Sequence, residues 1–195
     1  MRTEKPKIDI RRTQELGLSE LLVLADKGDE ESFSCIPAPT KAVWRCPKCG
    51  SRKVRNQGNM HRKFLDIVPR REDVAIVTVS LNYTRYKCLS PECGAVFYPE
   101  FTFASPYSRT TLRLDDVIVK LTLMGCRSFS ESEVELRGKL SRQTIGQIFH
   151  RRLKELESDS SGDSAWFRQL RKDGPAPREI SDHHGEFWRD YFGLK

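Results

Sequence analysis

The sequence predicts an α+β protein in which a small antiparallel β domain with a long hairpin is followed by a bundle of three helices. Three observations lead to this class. Four cysteines form two close pairs, an apolar–polar alternation runs directly into the second pair, and beyond Pro106 the apolar residues take up a helical spacing. We divide the chain accordingly into an N-terminal extension with a short helix, a β domain, a helical domain, and a linker with an aromatic-rich tail: residues 1–40, 41–107, 108–157 and 158–195.

The N-terminal extension shows two local patterns. Residues 18–25, Leu-Ser-Glu-Leu-Leu-Val-Leu-Ala, predict a short helix that ends near Gly28. The prolines of Ile36-Pro37-Ala38-Pro39 disfavour helix on both sides. We therefore expect this second stretch to be extended and to lead into the β domain.

The two cysteine pairs are Cys46-Pro47-Lys48-Cys49-Gly50 and Cys88-Leu89-Ser90-Pro91-Glu92-Cys93-Gly94. Each pair is followed by a glycine, which can adopt the left-handed backbone of a tight turn. Four thiolates on two turns are what a tetrahedral zinc site needs, and four protein ligands leave no open position for catalysis. The sequence predicts one structural Zn²⁺ and thus a zinc ribbon. Unlinked thiols, two disulfides and a rubredoxin-like iron site are the alternatives.

A long hairpin is predicted between the pairs. Residues 61–68 form a candidate first strand, and residues 69–73 suit a turn. From residue 77 the pattern alternates, which indicates a half-buried strand leading into Cys88. The core of such a hairpin is thin, and a structural zinc site would add on the order of 10 kcal/mol. The residues on the predicted apolar face are Val77, Val79, Leu81 and Tyr83.

Three helices are predicted next. Thr111 is the expected cap of the first, whose apolar face comprises Leu114, Val117, Ile118, Leu121 and Met124. A capping box at Ser130-Glu131-Ser132-Glu133 predicts the second. After a turn at Gly138, Ser141 caps a third helix through about Glu157, with Ile145, Ile148, Phe149 and Leu153 on its apolar face. The short turn between the last two helices is typical of a helix-turn-helix.

The net charge of +7 is concentrated in the β domain, since residues 41–110 contain 13 basic and 5 acidic side chains. A basic patch on a small module is the electrostatic signature of a nucleic-acid surface. The polar face of the third helix carries Arg and Gln, which suit guanine and adenine edges in the major groove. The candidate phosphate contacts are Arg52, Lys53, Arg55, Arg62 and Lys63, and the candidate base readers are Arg142, Gln143, Thr144, Gln147 and Arg151.

These motifs resemble the N-terminal region of zinc-ribbon insertion-sequence transposases of the DDE type. The matching parts are Cys46-Pro47-Lys48-Cys49-Gly50-Ser51, Tyr86-Lys87-Cys88 with Pro91-x-Cys93, and Leu140-Ser141-Arg142-Gln143-Thr144-Ile145. The resemblance implies that this region binds the terminal repeats of a mobile element, ahead of an RNase H-like domain that cuts and joins DNA. Only residues 158–195 follow the third helix, whereas such a domain needs on the order of 100 residues. We therefore expect no nuclease activity.

The sequence thus predicts a non-catalytic, zinc-dependent protein that binds double-stranded DNA, a transposase-derived regulator or accessory subunit. It lacks a secretory signal and any apolar run of membrane-spanning length, so we expect a cytoplasmic, nucleoid-associated protein. One alternative is an interaction subunit that binds a protein partner through the aromatic tail. Another is an enzyme, either a truncated transposase or an unrelated zinc hydrolase. RNA binding comes last, because the sequence does not show the exposed aromatic pattern that is typical of single-strand binders. A homodimer is compatible with each of these functions. The pair His183-His184 is a weaker metal-binding candidate in the tail.

Overall fold

A computed structural model of the chain describes residues 7–25, 29–70, 74–123 and 128–158. It has the predicted α+β class, with a long hairpin followed by helices. The chain divides into two compact units. The β unit contains the described residues up to Pro69 together with Val77–Thr111, and the helical unit contains Arg70–Ile76 and the described residues from Leu112 onward. The elements are α1 (Ile10–Leu16), β1 (Leu21–Val23), β2 (Ser32–Pro37), a 3₁₀ turn (Pro39–Lys41), β3 (Val54–Pro69), β4 (Val74–Cys88), β5 (Val96–Phe97), α2 (Leu112–Leu123), α3 (Phe129–Glu135) and α4 (Arg142–Ser158).

The sheet is mixed, which differs from the small antiparallel ribbon that we predict from the sequence. Its strand order is β1-β2-β4-β3, and β5 pairs with β4. Strand β2 runs parallel to β4, with Phe33 opposite Val79 and Cys35 opposite Leu81. All four of these side chains are buried. The pairing therefore gives β4 a second neighbouring strand with buried apolar side chains, in addition to β3.

The helix predicted over residues 18–25 is wrong, because this segment contains β1, which pairs antiparallel with β2. Leu21 and Val23 are buried in alternation, as a strand requires. The helix of this region, α1, lies earlier in the chain. Asp9 caps it by accepting a 2.9 Å hydrogen bond from the Arg12 N–H, and Gly17 ends it with a φ of 67°.

Strands β3 and β4 contain 16 and 15 residues, far more than the usual five or six. The predicted alternation in β4 is confirmed, since Val77, Val79 and Leu81 are buried while Thr78 and Ser80 are half-buried. Strand β3 begins at Val54, seven residues before the predicted start. Most side chains of residues 54–60 are exposed, so this part of the strand has no alternation of apolar and polar residues from which it could be predicted.

The last three helices pack against one another, and the buried faces of α2 and α4 include the predicted apolar residues Leu114, Val117, Ile118, Leu121, Ile145, Ile148 and Phe149. Leu153, also predicted on the apolar face of α4, is half-buried, and Met124 lies outside the described residues. Ser141 caps α4 as predicted, since its hydroxyl accepts from the Thr144 N–H at 3.4 Å. The capping box of α3 is formed by Ser128 and Glu131, so this helix begins before the predicted Ser130. Within the described segments, no helix combines the length and apolarity that a membrane crossing needs.

Two buried carboxylates are satisfied by polar partners. In the β unit, Asp66 accepts from the Ile67 N–H and from the Thr111 hydroxyl, the group that we predict as the cap of α2. In the helical unit, Asp115 of α2 is fully buried and accepts from Arg151 of α4 at 2.6 Å. An unpaired carboxylate at either position would be costly, so loss of either partner would destabilise the fold.

Candidate metal centre and basic surfaces

The four paired cysteines lie together in the β unit. Their sulfur atoms are all within 4.8 Å of one another, and the Cys46–Cys93 and Cys49–Cys88 sulfurs are 3.7 and 3.6 Å apart. A tetrahedral ion with metal–sulfur bonds of about 2.3 Å would set its sulfurs about 3.8 Å apart. The predicted clustering is confirmed, and the site fits one metal ion bound by four thiolates.

Two turns built by the local sequence hold these sulfurs. In the first, the Gly50 N–H donates to the Cys46 carbonyl at 2.9 Å, and Gly50 has a φ of 71°. In the second, the Gly94 N–H donates to the Ser90 carbonyl at 3.2 Å, and Gly94 has a φ of 56°. Both glycines therefore use the left-handed backbone that the sequence predicts for them.

The β-sheet brings the two turns to one end of the hairpin. The Leu89 N–H donates to the Lys53 carbonyl at 2.8 Å, which joins the segment after Cys88 to the start of β3. The apolar cluster at this end comprises buried Cys46, Cys88 and Phe97, with partly buried side chains around them. So small a core gives little hydrophobic stabilisation, and a bound metal would add the stability it lacks.

The surroundings of the cysteines lower the thiol pKa at Cys46 and raise it at Cys49 and Cys93. Burial alone raises the pKa of Cys46, but the N–H groups of Cys49 and Lys48 stabilise its thiolate and lower the pKa to about 7. The Ser51 N–H lowers the pKa of Cys49, yet burial and the neighbouring sulfurs outweigh that contact and raise it. The Cys93 pKa is raised in the same way, against the effect of the Ala95 N–H. A bound cation would favour the thiolate at all four positions.

A strongly basic surface extends from the metal centre along the hairpin. We define the basic ribbon as residues 52–63 and 82–87, which contain no acidic side chain. Its predicted members Arg52, Lys53, Arg55 and Lys63 are exposed, while Arg62 is half-buried. The Arg62 guanidinium lies 4.7 Å from the centre of the Phe64 ring and donates to the Ser108 carbonyl at 2.5 Å. Arg62 is therefore partly engaged in holding the fold.

The predicted base readers on α4 divide into two groups. Arg142, Gln143 and Gln147 are exposed. Thr144 is half-buried, with its hydroxyl 3.0 Å from that of Ser141, and Arg151 is half-buried and ion-paired with Asp115. The first group lies on the open face of the helix, whereas Thr144 and Arg151 make contacts within the helical unit.

No family model, curated protein or solved structure matches this chain. The resemblance to zinc-ribbon transposases therefore stays a prediction that rests on the cysteine spacing and the motifs quoted above.

The sequence reasoning missed basic residues on both surfaces. Arg85 and Lys87 of β4 belong to the basic ribbon, and Arg137 and Lys139 lie exposed before α4. The positions of Arg85 and Lys87, on the strand opposite the basic stretch of β3, could have indicated the first pair. His183, His184 and the aromatic tail lie outside the described residues, so the predicted protein partner is untested.

Proposed function

We propose that this protein binds double-stranded DNA without catalysing a reaction on it, and that a structural Zn²⁺ maintains the binding surface. The observation that carries the proposal is the basic ribbon, an exposed two-stranded arm whose charged side chains are all positive and whose base is the four-cysteine cluster. Together these features support a transposase-derived regulator or accessory subunit.

Cys46, Cys49, Cys88 and Cys93 would hold the Zn²⁺. The ion would supply folding free energy, as structural zinc does in small domains with thin cores. Four thiolate ligands complete a tetrahedral shell, so this donor set favours a structural role over activation of a water molecule. The ligands' own turns, with their left-handed glycines, already orient the sulfurs toward one point.

The basic ribbon would supply sequence-independent affinity. At about 3.3 Å per residue, the ten residues 54–63 that β3 contributes to the ribbon extend roughly 33 Å. A two-stranded ribbon fits the major groove, and lysine and arginine side chains along it can neutralise phosphates. Because Arg52, Lys53 and Arg55 are exposed next to the metal centre, loss of the metal would disturb their arrangement.

Helix α4 would supply sequence discrimination. It follows α3 after a short turn, the arrangement in which the second helix of a helix-turn-helix reads base edges from its N-terminal residues. Arg142 and Gln143 occupy those positions on the exposed face, and Gln147 lies one turn further. A base contact by Arg151 would require breaking its ion pair with Asp115, so we place this residue last among the candidates.

The decisive experiment is a salt titration of duplex-DNA binding by the full-length, zinc-loaded protein. The variant Arg52→Ala/Arg55→Ala should reduce the dependence of log K on log salt by about 1.8, since each phosphate contact contributes about 0.9. Lys7→Ala/Arg11→Ala, which removes two exposed charges of the same unit outside the ribbon, is the matched control. Absence of duplex binding, or equal effects of both variants, would contradict the proposal.

The role of α4 needs a separate comparison of DNA sites. Arg142→Ala/Gln143→Ala should reduce the ratio of affinities between a selected duplex and random duplexes, with a smaller change in affinity for random DNA. The size expected for each lost bidentate base contact is about 1–3 kcal/mol. An unchanged ratio would assign the discrimination to another element.

A further inference from the structure

An open groove of about 740 Å³ lies in the β unit, bordered by residues near the first cysteine turn and by the loop after β5. Its volume falls within the roughly 300–1,000 Å³ of typical ligand sites. Five aromatic rings line it. They are Phe64, Phe97, Tyr98, Phe101 and Tyr107.

Two of these rings are displayed to solvent. Tyr98 is 48% exposed and Tyr107 is 90% exposed. The Tyr98 ring packs edge-on against Tyr83, with 5.8 Å between the ring centres. The Tyr83 ring also packs edge-on against Phe101, with 6.0 Å between the ring centres. Edge-on contacts of this kind fix ring orientation. The Tyr98 ring is therefore pre-oriented at the edge of the groove.

Tyr107 occupies a backbone position that disfavours a tyrosine. It is the third residue of the turn Ser105-Pro106-Tyr107-Ser108, which the Ser108 N–H closes by donating to the Ser105 carbonyl at 3.0 Å. Its φ is 62°, as at the third position of a type II turn, where glycine or asparagine is usual. Fold stability alone would favour glycine there. A strained, exposed aromatic residue at the rim of a groove indicates a ligand contact.

The polar border of the groove is mixed in charge. Lys41, Arg45 and Arg62 line it, against one carboxylate, Glu100. Lys41 is ion-paired with Glu20 at 3.3 Å, and Arg62 lies over the Phe64 ring. Arg45 is exposed beside the aromatic surface. Since Lys41 and Arg62 are engaged within the fold, Arg45 is the basic side chain of the groove that we assign to a ligand phosphate. Exposed rings beside a basic side chain occur at single-strand binding sites, where bases stack on aromatic residues and basic side chains follow the phosphates.

We propose that this groove binds unpaired nucleobases of single-stranded nucleic acid, which stack on Tyr98 and Tyr107 while Arg45 contacts the backbone phosphate. The ligand differs from that of the duplex-binding surfaces, because bases paired in a duplex have no free face for these rings. A proline-rich peptide could also lie on an aromatic groove. The groove adjoins the basic ribbon, to which Arg62 also belongs, and this positive neighbourhood favours the nucleic acid over the peptide.

The test measures binding of fluorescein-labelled oligothymidylate and oligouridylate to the full-length, zinc-loaded protein. Tyr107→Gly should weaken binding about tenfold or more, the usual effect of losing one stacked base. Tyr107→Phe keeps the ring and should bind like the unmodified chain. The melting temperature of Tyr107→Gly should be unchanged or higher, because glycine relieves the strained turn. Preference for one oligonucleotide would identify the source as DNA or RNA.

Several outcomes would overturn the proposal. These are no binding of either oligonucleotide, equal binding by Tyr107→Gly and Tyr107→Phe, or binding of a polyproline peptide alone. The single-strand proposal and the duplex proposal can fail separately. Arg142→Ala/Gln143→Ala should alter the discrimination between duplexes and leave oligothymidylate binding unchanged. Loss of both activities in Tyr107→Gly would show that the groove is part of the duplex surface, which also contradicts a separate single-strand site.

Discussion

The two halves of the β3–β4 hairpin are built on different principles. Near the turn, Phe64 and Val68 of β3 and Val79 and Leu81 of β4 are fully or almost fully buried. Toward the cysteines, residues 54–63 and 82–87 are mostly exposed or half-buried, and polar. One half is therefore held by apolar packing, including the parallel strand β2, and the other ends at the four-cysteine cluster.

This difference shows where a binding surface can be placed in a small protein. A strand packed on both faces has no side chains to spare for a ligand, whereas a strand fixed at its end by a metal centre can expose both faces. The β3 strand of the basic ribbon approaches the second kind, because most of its side chains are exposed, whereas Tyr83 and Tyr86 of the β4 strand pack on neighbouring aromatic rings. The charges of the basic ribbon lie together at high density without weakening an apolar core, because the core lies elsewhere along the same two strands.

The largest expected effect comes from breaking the metal-dependent half. Cys88→Ser should abolish binding of one metal ion, a loss on the order of 10 kcal/mol of folding free energy for a structural zinc site. Amide hydrogen exchange should show lost protection in residues 54–63 with retained protection around Phe64 and Val79. Metal content by mass spectrometry completes the measurement.

The matched control for this prediction is Cys35→Ala. Cys35 is buried in β2 and lies outside the four-cysteine cluster, so the variant should retain its full metal content. Equal loss of protection in both halves of the hairpin of Cys88→Ser would show that the two halves form one cooperative unit.

The apolar half can be broken separately. Leu81 is fully buried, and Leu81→Ala should lower the free energy of unfolding by about 2–5 kcal/mol, since the substitution leaves a cavity. Leu89, which is 50% exposed, provides the control, and Leu89→Ala should cost less than about 1 kcal/mol. Urea unfolding monitored by circular dichroism gives both values. Retained metal content in Leu81→Ala would show that the two halves are stabilised independently.

A smaller effect is expected in α4, where the same contrast recurs between anchored and exposed side chains. Arg151→Ala leaves the Asp115 carboxylate without its 2.6 Å partner and should cost about 2 kcal/mol, less than a fully buried pair because Arg151 is partly exposed. Arg142→Ala should change stability by at most about 0.5 kcal/mol. The reverse order, measured by thermal unfolding, would mean that Arg151 is available for DNA after all.

The sequence predicted the features that are encoded locally. Cysteine spacing with following glycines specifies the two turns, alternation specifies the buried face of β4, and the 3.6-residue period specifies the buried faces of α2 and α4. The helix prediction for residues 18–25 is wrong because leucine and alanine favour helix in isolation, whereas β1 depends on its pairing with β2. The parallel contact of β2 with β4 joins residues more than 40 positions apart and leaves no local pattern. Residues 54–60 were missed because a strand exposed on both faces has no apolar period.

Tyr107→Gly is expected to have the smallest effect on the free energy of unfolding, and to raise it where the other substitutions lower it. The φ of 62° at Tyr107 costs an L-residue about 1–2 kcal/mol, part of which Tyr107→Gly should recover, reduced by the greater entropy of glycine in the unfolded chain. The expected result is a gain of about 0.5–1 kcal/mol in the free energy of unfolding. Tyr98→Ala, by contrast, removes a ring that packs on Tyr83 and should be destabilising. A destabilised Tyr107→Gly would mean that the tyrosine ring contributes to the fold, and the argument from backbone strain to a ligand at the groove would lose its basis.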